Sequence, residues 1–187
     1  LDNAASNVGL DEVRTLLQLR VRLPLPERAA DQVDVRSFRP GVDEQAWLEV
    51  NNAAFQWHAE QGGWDLEALE QREREPWFDP DGFLLYERDA RVAAFCWTKI
   101  HHDTAPVLGE IYVIAVHPDF HGLGLGRALT AAGLQHLAGR GIQTGMLYVD
   151  GTNTAAVSLY QSMGFAVHRI DRAHVGIVPP TLAAAPV

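Results

Sequence analysis

Gly122, Gly124 and Gly126 stand at alternate positions in HPDFHGLGLGRAL, residues 117–129, between an apolar run and the start of a helical pattern. Glycine at a helix start costs backbone entropy, so its use there points to a required dihedral or a close backbone approach. Backbone N–H groups in the first turn of a helix have no helical acceptor and point outward, where they can hold an anion. The stretch therefore reads as a phosphate cradle. It contains no G-x-x-x-x-G-K-[ST] string, which excludes a P-loop. A dinucleotide fingerprint fits Gly122 and Gly124, but Arg127 takes the third glycine's place and His-Pro-Asp-Phe separates strand from glycines. Asp150, at the end of MLYVD, imitates the acidic residue of that fingerprint, so the reading stays open beside one in which the glycines serve packing alone.

The elements that would position this loop follow from periodicity. EIYVIAV (110–116) is a strand leading into it, and a helix runs from it to about Ala138. Upstream, VDVRSFRP (33–40) alternates like a strand. DEQAWLEVNNAAF (43–55) has helical spacing with Asp43 as its cap, and a second helix starts at Asp65 and ends before Pro76. GFLLYER (82–88) and RVAAFCWTKI (91–100) form a hairpin through Asp89-Ala90. Downstream come a strand at 146–150, a helix at 153–164 stopped by Gly164, and an antiparallel pair, 165–171 with 173–178, turning at Arg172.

Bulk properties narrow the function classes. The 187 residues suffice for one domain with a modest extension, and the net charge of −9 argues against a broad nucleic-acid or acidic-membrane surface. No apolar run reaches membrane-spanning length and no signal peptide is present, so a cytoplasmic protein is expected. The single cysteine, Cys96, excludes an internal disulfide and reads as a small buried residue. His101 and His102, adjacent on a strand, point to opposite faces and cannot share one metal ion. No metal is expected.

The segment His121-Gly-Leu-Gly-Leu-Gly-Arg127 resembles the pyrophosphate loop of the GCN5-related N-acetyltransferases, [QR]-x-x-G-x-[GA], with His121 where that family has Gln or Arg. Leu123 and Leu125 then read as packing residues between the glycines. The preceding Ile114, Ala115 and Val116 and the later Asn153…Tyr160 helix, with Ala156 and Ser158, resemble that family's two acetyl-CoA segments. The resemblance implies an α/β (α+β) fold: a mixed, mostly antiparallel sheet flanked by helices, whose splayed parallel strand pair takes the pantetheine arm. It implies acetyl-CoA as co-substrate, Glu110 as general base and Tyr160 as general acid.

VNNAAF (50–55), EQGGW (60–64), WFDPDG (77–82), WTK (97–99), GEIYV (109–113), LYV (147–149) and YQSMGF (160–165) narrow the resemblance to the mycothiol synthase family. What this implies is acetylation of the cysteinyl amine of a cysteinyl-glucosaminyl-inositol, with Glu60, Lys99, Glu110 and Tyr148 on the substrate, and a monomer. It also implies tandem domains. Residues 1–27 would then be the end of a first acetyltransferase-like domain plus linker, 28–180 the catalytic domain and 181–187 a frayed tail. DNAAS near the start and TNTAAVS near the end, each followed by a glycine and a strand-like run, agree with such a repeat.

Overall fold

The computed structural model describes residues 11–26, 33–56 and 61–176. Its strands are β1 (Asp11–Arg22), β2 (Arg36–Ser37), β3 (Phe83–Arg88), β4 (Arg91–His101), β5 (Leu108–Val116), β6 (Thr144–Asp150) and β7 (Ala166–Val175). Its α-helices are α1 (Glu44–Ala54), α2 (Leu66–Glu73), α3 (Leu125–Gly139) and α4 (Thr154–Ser162). The chain divides into two compact units, Arg20–Leu147 and the remainder. Strands β1 and β6 run through the boundary.

In the larger unit the strand order is β2-β3-β4-β5-β6, with the end of β1 beside β6. The β2–β5 pairs are antiparallel and β5 pairs parallel with β6. The β3–β4 turn puts Asp89 and Ala90 at φ 54° and 60°, the doubly left-handed geometry that suits a two-residue hairpin's twist. The strand expected over 33–40 shrinks to Arg36–Ser37. Asp43 stands at the N-cap of α1 but makes no side-chain cap bond. Its carboxylate instead takes the Arg36 and Arg39 guanidiniums at 2.7 and 2.8 Å. The hydrogen bond from Arg39 above all holds this carboxyl well below the usual carboxylate range. Asp65, by contrast, caps α2 by accepting the Ala68 N–H at 2.8 Å.

Two layers of core enclose the β3–β5 sheet. On one face Trp97 stacks on Phe83 with centroids 4.3 Å apart, Phe83 stacks on Phe38, and Trp47 from α1 meets them edge-on. Each such pair adds about 0.5–1.5 kcal/mol beyond burial of its area. On the other face α3 comes so close that a Cβ at Gly133 would lie 2.5 Å from Cys96 Sγ and 2.8 Å from Ile111 Cδ1. Burial pushes the Cys96 thiol up to about 12, consistent with a packing role.

The smaller unit holds most of β1, β7 beside it, and α4. Gly164, at φ 94°, ends the α4 turn as expected. The expected pair turning at Arg172 is instead one continuous strand, β7. Asp171 alone favours a turn in Asp171-Arg172-Ala173, with no Gly, Pro or Asn to set one, and β1 supplies β7 with a neighbouring strand.

Candidate active site

Strand β5 carries a change of partner at its centre. Its parallel pairs with β6 are Gly109–Gly145, Glu110–Met146 and Ile111–Leu147, whereas its antiparallel pairing with β4 continues to Val116 opposite Ala94. Tyr112–Val116 thus extend past these three parallel pairs, along an edge that an extended ligand could join as an added strand. At the same place β5 holds a bulge: Trp97 faces Val113 and Thr98 faces Ile111, leaving Tyr112 as the surplus residue.

Glu110 precedes the bulge. It pairs with Lys99 across the ladder, and its side chain is only 10% exposed. The carboxylate Oε2 lies 2.7 Å from His101 Nε2. Lys99 Nζ instead sits over the Trp77 ring, 4.3 Å from its centroid, and 5.6 Å from that of Tyr112. Trp77 and Tyr112 contact each other edge-on at 5.0 Å, and burial pushes the Tyr112 phenol upward. A carboxylate, a cation and two aromatic rings therefore share one patch beside the end of the parallel ladder. Alternation along β4 puts Thr98 and Ile100 on the opposite face, where with His102, Asp79 and Arg140 they line a cavity of about 260 Å³ that Trp77 also borders. Glu110, Lys99 and Tyr112 do not line it.

The glycine loop takes the conformation its composition called for. Gly122 and Gly124 have φ of 81° and 74°, and a Cβ at either would meet nothing within 4 Å. Packing therefore does not explain them; left-handed backbone does. Gly124 is the N-cap of α3, and the first bond into the helix runs from the Ala128 N–H to the Gly124 carbonyl at 3.3 Å. The preceding amides are left to face an anion, and no side chain at 122 or 124 obstructs its approach. The residues present fit a diphosphate. Leu125 packs inward at 6% exposure, but Leu123 is half exposed, so only one of the two leucines serves packing. His121 ties the loop to the site: its Nε2 donates to the Val116 carbonyl, at 3.0 Å, at the end of β5.

In the smaller unit Asn153 caps α4, its Oδ1 accepting the Ala156 N–H at 3.1 Å. This leaves the Asn153 amide group as a donor. Ser158 is exposed on α4, and Tyr160 is buried against Phe165 with centroids 5.7 Å apart. Tyr148 is 39% exposed, and its hydroxyl accepts from Gln18 Nε2 at 2.7 Å. Glu60 and the neighbouring His58 lie outside the described residues. Among the described residues no group of His, Cys, Asp and Glu is arranged to hold a metal, and no helix is long and apolar enough to cross a membrane.

Sequence reasoning brought Glu110, Lys99 and the loop into one unit but missed His101, Trp77 and Tyr112 as their neighbours. The signal was present for His101, two residues after Lys99 and hence on the same face.

Comparison with known proteins gives the same architecture. The acetyltransferase (GNAT) family pattern matches residues 48–165. The chain is 52% identical over 174 residues to the mycothiol acetyltransferase of Acidimicrobium ferrooxidans, covering 90% of this chain and 56% of that protein. The chain thus spans about half the length of the curated relatives it matches. A GCN5-related N-acetyltransferase from Sphaerobacter thermophilus superposes with a TM-score of 0.77 at 23% identity, over 92% of this chain and 54% of that one. The Escherichia coli ribosomal-protein-S18-alanine N-acetyltransferase superposes with a TM-score of 0.58 at 28% identity, over 71% and 77%. The chain belongs to the GNAT acetyltransferase family.

Proposed function

We propose that this chain carries the catalytic portion of an N-acetyltransferase that moves acetyl from acetyl-CoA to the cysteinyl amine of a cysteinyl-glucosaminyl-inositol. The observation carrying this reading is the coincidence, at the centre of β5, of the end of the parallel ladder, the Tyr112 bulge and the Glu110 carboxylate. The names of the relatives, each called mycothiol acetyltransferase, support the acceptor.

Acetyl-CoA supplies an activated thioester. The Gly122–Arg127 loop would hold its diphosphate, and Ile114, Ala115 and Val116 would pair with the pantetheine arm, as would Asn153, Ala156 and Ser158 from α4. An amine acceptor arrives mostly as ammonium, which has no lone pair to attack with. Glu110 takes that proton, and Tyr160 gives one to the departing thiolate. The backbone N–H of Ile114 polarises the thioester carbonyl. Alignment of amine and thioester supplies much of the remaining acceleration. Lys99, Tyr148 and Glu60 would recognise the hydroxyl-rich acceptor.

Steady-state transfer from acetyl-CoA to the cysteinyl pseudodisaccharide, compared with simple amines and N-terminal peptides, tests the acceptor. A preference for the pseudodisaccharide is expected. A preference for peptides would favour a second reading, a protein N-terminus as acceptor, which the likeness to the S18-alanine enzyme supports. Glu110→Gln should lower kcat about 100-fold or more while acetyl-CoA binding is retained. Undiminished turnover would remove Glu110 from the mechanism.

A further inference from the structure

His101 is the last residue of β4 and shares a face with Lys99. Lys99 pairs with Glu110, so His101, opposite Leu108, is the diagonal neighbour of Glu110, within reach of a long side chain. The distance of 2.7 Å from Nε2 to Oε2 is that of a charge-assisted hydrogen bond. The His101 carbonyl accepts from Thr104 Oγ1 at 3.0 Å, which anchors the turn leaving the strand and with it the position of the ring.

Lys99 is directly opposite Glu110 and would be the obvious group to hold it. Its ammonium is committed to Trp77 and Tyr112. Among the described residues the imidazole is the only hydrogen-bond partner of the carboxylate. A glutamate side chain has three torsions to order before one oxygen can point at a substrate. A donor on Oε2 removes that freedom and leaves Oε1 to take a proton.

We propose that His101 is a positioning residue for the base: its Nε2–H holds Oε2 of Glu110 so that Oε1 faces the acceptor amine. The proposal rests on the reading of Glu110 as base. It requires the Nε2–H tautomer of His101, which is a property of the protein without substrate. It also assigns to His101 a role in turnover rather than in acceptor binding.

The test uses the full chain with His101→Leu, His101→Gln and Glu110→Gln. His101→Leu should lower kcat about 10-fold with the KM for the cysteinyl acceptor changed by no more than about two-fold. His101→Gln, whose amide nitrogen reaches where the imidazole Nε2 lies, should recover kcat to within about three-fold of the parent. Nitrogen-15 NMR of His101 at mildly alkaline pH should show the proton on Nε2, and Glu110→Gln should abolish that preference. Unchanged kcat in His101→Leu alongside an inactive Glu110→Gln overturns this proposal and leaves the base reading standing. A Gln variant as impaired as the Leu variant, or a His101 proton on Nδ1, also overturns it. An active Glu110→Gln overturns the base reading first, and this proposal with it.

Discussion

Lys99 and Glu110 face each other across the β4–β5 ladder, yet their charges do not meet: the ammonium lies 4.3 Å from the centre of the Trp77 ring and the carboxylate is held by His101. A direct ion pair would occupy the carboxylate with a permanent cation and make it a poor acceptor for a substrate proton. Trp77, together with Tyr112, keeps the cation within the site but off the base.

Removing the ring should therefore harm the base through the lysine. Trp77→Leu forfeits a cation–π contact of about 0.5–2 kcal/mol and releases Lys99 toward Glu110. We expect kcat to fall about five-fold or more in Trp77→Leu and to stay near the parent value in Trp77→Phe. In the Trp77→Leu background a further Lys99→Met should raise kcat, because the competing cation is gone. A double-mutant cycle in steady-state kinetics measures this, and additive effects would rule the idea out.

The loop glycines make a separable prediction. Gly124→Val forces a β-branched residue into left-handed backbone at a cost of about 1–2 kcal/mol, although the space beside it is open. The fold should survive with a melting point lower by a few degrees, while acetyl-CoA binding by calorimetry weakens about ten-fold or more. Gly139, the last residue of α3, with no strained dihedral and nothing near its would-be Cβ, serves as control. Gly139→Ala should leave binding untouched.

Stability should depend on pH through Glu73. Burial, reinforced by Glu44 and Glu70, pushes its carboxyl up to about 7, and its Oε1 is buried without a partner. An unfolded glutamate titrates near ~4.3, so the folded state holds this proton more tightly. The resulting stability is fully present below that value and is lost as pH rises toward 7. Glu73→Gln keeps a neutral side chain at every pH. It should match the parent at pH 4 and melt about 1–2 °C higher at pH 8, allowing for solvent screening. Equal melting points at pH 8 would refute the assignment.

The elements most legible in the sequence were those specified by local chemistry. Asp65 announces α2 and caps it, Gly122 and Gly124 announce a loop that needs positive φ, and Gly164 stops α4. What escaped was specified by contacts between distant segments. Asp43 looked like a cap, but Arg36 and Arg39 outbid the helix amides for its carboxylate. The turn expected at Arg172 does not form, since β1 gives that stretch a strand to lie beside. In the candidate site, Glu110 and the loop were reachable through motif resemblance. The partners His101, Trp77 and Tyr112 depend on the β4–β5 register, which composition does not reveal.

The surplus residue at Tyr112 sets the phase of that register. Val113 shares its face with Trp97, and an unbroken alternation counted back from Val113 would turn Ile111 and Gly109 to that face and Glu110 to the other. Because Tyr112 is skipped by the ladder, the count restarts, and Glu110 falls in line with Lys99 and His101 instead of pointing at α3. Drawn into the ladder as an ordinary paired residue, Tyr112 would exchange the carboxylate for the sec-butyl side chain of Ile111, whereas a chain lacking that residue would keep Glu110 opposite Lys99. The acidity of this patch is thus a matter of parity.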